Sequence, residues 1–112
     1  MDSMPTILPP NEVRSMVVDA IEAKARDLGL TLSQGAKQAI LQKTLPNLTR
    51  LNKDGELTGQ LIDRIQHNSA EFIQILFDQQ LHGKASEITI DHVSTLLSSF
   101  CQRFPDFIPF CP

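Results

Sequence analysis

The chain has 112 residues, ten basic and thirteen acidic, for a net charge of −3, and 41% of them are hydrophobic. A chain of this length is expected to form one domain that buries roughly 65% of the surface its unfolded form exposes. The charge balance disfavours tight nonspecific nucleic-acid binding, which rests on neutralising several phosphates, and no apolar run reaches the ~20 residues needed to span a bilayer.

The first ten residues hold Pro5, Pro9 and Pro10 and read as an extended lead-in. They lack the basic and apolar regions of a signal peptide, so a cytoplasmic location is expected. Asn11 can cap a first helix over 12–28, with Glu12 in its first turn. Val13, Met16, Val17, Ala20, Ile21, Ala25 and Leu28 follow helical spacing. Gly29 stands where a left-handed residue closes a helix, and Leu30 follows it.

A second helix starts at Thr31 or Ser33, and Thr31 with Gln34 fits a capping box. Its stripe is Leu32, Ala36, Ala39, Ile40 and Leu45, flanked by Leu41. Pro46 is expected to kink or end it. Leu48 and Leu51 then fall in an extra turn or a packed loop, and Asn52-Lys53-Asp54-Gly55 is a turn signal.

The third helix is the long one, from Leu57 or Thr58 to His82, with Gly83 closing it. Leu61, Ile62, Ile65, Ser69, Phe72, Ile73, Leu76 and Leu81 give it a broad apolar face. Such a rod needs neighbours along both halves. Ile88-Thr89-Ile90 alternates like a brief extended segment, and Thr89 is a good cap for a fourth helix with Asp91 in its first turn. Val93, Leu96, Leu97, Phe100, Cys101 and Phe104 continue that helix until Pro105. The expected fold is all-α: four main helices in one domain over 1–112, arranged around a long central helix, with a packed aromatic tail over 105–112.

The order of moderate helix, long helix, short β-like loop and final helix resembles the histone fold over roughly residues 32–104. The stretch LHGKASEITIDHVSTLL is similar to that family's junction between its long and final helices. His92 stands where the family usually carries an Asp, and 84–87 lack its usual paired Arg. The resemblance implies a handshake dimer. A plain antiparallel four-helix bundle satisfies the same lengths and is the preferred reading.

Chemistry-bearing patterns are sparse. His67 and Glu71 stand four apart on the third helix, without a third ligand at matching spacing. His82 suits a helix C-terminus as a cation. Asp91 and His92 are adjacent, so on a helix they point in different directions and do not form an acid–base pair. Cys101 and Cys111 read as free thiols, with a disulfide or a redox pair as the alternatives. No metal, cofactor or catalytic residue is expected, and no enzymatic activity.

Two surfaces remain. The tail holds Phe104, Phe107, Ile108 and Phe110 just after Phe100. These five residues either fold back over the open end of the bundle or bind a partner, since exposed aromatic clusters mark interfaces. Lys37, Lys43, Arg50 and Lys53 lie in a segment without acidic residues, 28–53, that could dock an acidic partner or nucleic acid. The expectation is a small interaction protein (regulator, adaptor or assembly subunit), acting as a homodimer through helix and tail burial. The alternative is a histone-fold-type nucleic-acid-associated protein that uses the basic segment.

Overall fold

The computed structural model describes residues 7–81 and 83–112. Residues 1–6 of the lead-in, and His82 with the role expected of it, lie outside the described residues. The chain forms α1 (Pro10–Asp27), β1 (Thr31–Leu32), α2 (Gln34–Lys53), α3 (Gly59–Leu76) with a π turn at Phe77–Leu81, β2 (Glu87–Ile88) and α4 (Ile90–Arg103). It is a helical bundle carrying one very small sheet.

α1 begins two residues earlier than the Asn11 cap implied. The carbonyl of Pro9 accepts from Glu12 and Val13, and Pro10 occupies the first helical position. Proline suits that place because its missing N–H would be unpaired there anyway. At the other end Gly29, at φ 74°, closes the helix: its N–H donates to the Arg26 carbonyl and that of Leu30 donates to Ala25. Leu30 and Ala25 are both buried, which completes the hydrophobic contact typical of this motif. Gly55 ends α2 the same way, with Glu56 reaching back to Leu51.

Ser33, not Thr31, caps α2, accepting from Ala36 N–H at 3.0 Å. Thr31 serves a different purpose. β1 and β2 pair in parallel, Thr31 opposite Glu87 and Leu32 opposite Ile88. The two loops that launch α2 and α4 are thus stitched side by side. The helix starts approach closely enough that a Cβ at Gly35 would lie 3.2 Å from Ile90 Cβ.

Pro46 does not end α2, which runs on for two more turns to Lys53. Pro46 and Gln42, whose carbonyl loses its donor, are both exposed, so water can take that carbonyl. Burial of Leu48 and Leu51, in line with Ile40, Leu41 and Thr44, holds the later turns. This stripe runs through Thr44 rather than Leu45, which is half-buried. The Thr44 hydroxyl is satisfied within the helix by the Ile40 carbonyl at 2.9 Å.

α3 keeps its expected face but not its expected geometry. After Leu76 it widens into the π turn. Leu76 and Leu81 are both buried and lie five residues apart. An α-helix would turn Leu81 about 140° away from Leu76, whereas the i→i+5 repeat of a π turn returns it to the same face.

α3 packs chiefly on α1, α1 also packs on α2, and α4 packs on α2. Val17 and Ile21 of α1 and Ile65, Phe72, Ile73 and Leu76 of α3 are fully buried. Each such side chain contributes roughly 1.5–3 kcal/mol by leaving water. The buried face of α3 is therefore covered within one chain, chiefly by α1 and, at Asn68 and Phe72, by the tail. Leu8, just before α1, is tied down as well: the Asn52 side chain accepts from Leu8 N–H and donates to Leu8 O, both at 2.9 Å.

Candidate functional site: the aromatic C-terminal strap

α4 ends at Arg103, and Pro105 prevents its continuation. Residues 105–112 then fold back as an irregular strap whose backbone bonds are local. Phe107 N–H donates to Phe104 O, Ile108 to Asp106 O and Cys111 to Phe107 O. The Ile108–Pro109 peptide is cis.

Phe110 inserts into the core, and its ring stacks on Phe72 of α3 at 4.5 Å and 16°. Phe100 meets Phe72 edge-on at 5.2 Å. Phe107 meets Phe100 edge-on at 4.9 Å and lies 5.8 Å from Phe110. Phe104 completes the cluster, 4.8 Å from Phe100 and 5.8 Å from Phe107. Such pairs add about 0.5–1.5 kcal/mol each beyond simple burial.

Two amides and a disulfide hold the strap. Asn68 of α3 donates to Ile108 O and Asn47 of α2 donates to Pro109 O, each at 2.8 Å. Asn68 is itself buried, so this bond satisfies a polar group that would otherwise be costly in the core. Cys101 and Cys111, read from sequence as free thiols, are joined as a disulfide with a Cα–Cα distance of 5.5 Å. Neither the disulfide nor the two asparagines could be fixed from local pattern. The only trace of Asn68 in the sequence is its place between Ile65 and Phe72 on an apolar face.

The phenylalanines of the aromatic tail fall into two layers. Phe100 and Phe110 are at 0% exposure and form the floor, with no surface of their own. Phe104 and Phe107 are half-buried and form an outer patch, while Ile108, also half-buried, lines the cleft that holds Arg50 and Arg64. The Arg103 guanidinium lies over the Phe104 ring at 5.5 Å, a contact worth about 0.5–1 kcal/mol at exposed sites.

The basic residues are less well gathered. Lys37 is engaged by Glu22 of α1. Lys43 is half-buried, and Arg50 and Lys53 are exposed. Lys43 and Arg50 lie two turns apart on one side of α2, with Lys37 about a third of a turn away. Arg50 shares a cleft of about 310 Å³ with Arg64 of α3 and with Asp106 of the strap.

His92 has a structural position. Its Nδ1 accepts from Thr89 N–H at 3.0 Å, the place a Glu or Gln fills in the usual capping box. His67 is exposed and Glu71 half-buried. Among the described residues no three His, Cys, Asp or Glu side chains are placed to hold a metal ion, and no helix is long and apolar enough to cross a membrane.

The geometry thus defines a helical bundle closed by a disulfide-clipped aromatic strap. Comparison with protein-family models, with curated proteins and with solved structures returns no match.

Proposed function

We propose that the protein is a small protein–protein interaction module, a regulator, adaptor or assembly subunit, that acts without a catalytic step. Its contact surface is the outer aromatic patch, and a second copy is its first partner. The observation that supports this reading is the pairing of Phe104 with Phe107 in a half-exposed layer over a fully buried floor. Aromatic residues, phenylalanine included, are enriched at the cores of protein interfaces. Arg103 rims the patch, its guanidinium over the Phe104 ring.

Static light scattering over a concentration series tests this. Wild type is expected to approach twice the monomer mass, and Phe104→Lys to return it to the monomer with unchanged helical circular dichroism. A wild-type protein that stays monomeric throughout overturns the dimer.

A second reading is a nucleic-acid-associated protein of histone-like type. Lys43 and Arg50 on one side of α2, with Arg64 across the cleft, are the residues that favour it. Engagement of Lys37 by Glu22 weighs against it. It requires a salt-sensitive gel shift, and no shift at low salt removes it.

The cytoplasmic location expected from the sequence bears on the Cys101–Cys111 bond, because cytosolic thiols are kept reduced. An oxidising compartment suits the closed strap; in a reducing one the bond would be open.

A further inference from the structure

The strap is joined to the rest of the protein in an unusual way. Among the described residues, none of its backbone N–H groups donates to the body: the Phe107, Ile108 and Cys111 bonds all stay within residues 104–111. Its docking rests on the Phe110 ring against Phe72, on the Phe107 ring against Phe100 and Phe104, on two asparagine side chains and on one covalent bond. It can therefore leave without breaking a helix or the β1–β2 pair. What it would uncover is a cleft floored by Phe72 and Phe100, with the Asn47 and Asn68 amides turned to water.

We propose that residues 105–112 are a redox-sensitive strap, docked while Cys101 and Cys111 are joined and released when a dithiol reduces them. Cys111 is only 2% exposed, whereas Cys101 at the end of α4 is half-buried. The reducing thiolate therefore attacks Cys101 Sγ. A mixed disulfide forms there, and Cys111 leaves as a thiolate that takes a proton. The second thiolate of the dithiol then attacks its own sulfur in the mixed disulfide, freeing the Cys101 thiolate, which is protonated in turn. Two electrons and two protons pass to the protein, and the dithiol becomes a disulfide.

The bond closes a loop with a sequence separation of 10. Losing that constraint shifts the docking equilibrium towards the open strap by about a hundredfold on the loop-closure account. Release also dismantles the Phe104–Phe107 patch. The strap does not depend on the interaction reading, because its test measures exchange rates and not assembly.

The test is amide hydrogen exchange of the full chain by NMR, oxidised and then with dithiothreitol. Exchange at Ile108 and Cys111 should accelerate about a hundredfold on reduction, while Val17, Ile65 and Phe72 keep their rates and reoxidation restores the slow state. Cys111→Ser without reductant should reproduce the fast exchange at Ile108. Unchanged rates at 108 and 111 overturn the proposal, since the strap then stays docked without the bond. A uniform rise across all helices also overturns it, because the bond would then support the whole fold.

Discussion

Phe110→Ala is expected to lower the free energy of unfolding of the oxidised protein by about 3–5 kcal/mol, the range for emptying a buried aromatic site. The ring is fully buried between Phe72, Phe100 and Phe107. Cys111 beside it is pinned to α4, and the two preceding carbonyls are held by Asn68 and Asn47. The surroundings cannot easily collapse into the space, so the cavity remains and its cost is felt in full. Urea denaturation followed by far-ultraviolet circular dichroism measures this, since the chain has no Trp or Tyr for fluorescence. Phe107→Ala, at a half-buried position, should cost clearly less. Equal and small effects for the two would mean that Phe110 is not in the core.

Val17→Asp should abolish folding. Val17 sits at 0% exposure on α1, the helix packed most extensively on α3. None of the buried side chains of α1 is a cation that could pair with a carboxylate there. An unpaired buried charge costs several kcal/mol, against a total stability of about 5–15 kcal/mol for a domain. The expected readout is loss of helical signal and of a cooperative melt. Arg14→Ala, at an exposed position of the same helix, should stay within about 0.5 kcal/mol of wild type. A normally folded Val17→Asp protein would mean that α3 finds its cover elsewhere, for example in a second copy.

These two positions mark how far the sequence could be read. Val17 was legible because the apolar residues of α1 repeat at helical spacing and Gly29 fixes the end of the helix. The buried face of α3 was legible for the same reason. Local rules erred where tertiary packing outweighed them. Pro46 is expected to kink or end α2, yet burial of Leu48 and Leu51 carries the helix through it to Lys53. Leu81 was placed in an α-turn, yet burial beside Leu76 requires a π turn. The sequence leaves Thr31 and Ser33 as rival starts of α2, and Ser33 is the cap because Thr31 is taken up by pairing with Glu87, which is distant in the chain. The same remoteness hides the hold of Asn47 and Asn68 on the strap, whereas the Cys101–Cys111 bond, with a separation of 10, is open to the sequence only as an alternative to free thiols, because nothing local fixes the path of the tail. The tail was legible only as a concentration of phenylalanines. Its division into a buried floor and an outer patch depends on Phe72, which belongs to another helix.

The C-terminal strap is part of the core through Phe110, and this anchoring fixes the outer patch. Ring-to-ring nuclear Overhauser contacts in the oxidised full-length protein test it most directly. Phe72 and Phe110, with ring centroids 4.5 Å apart, should give strong mutual cross-peaks and ring-shifted resonances. Phe110 signals at random-coil positions, without contact to Phe72, would contradict the account.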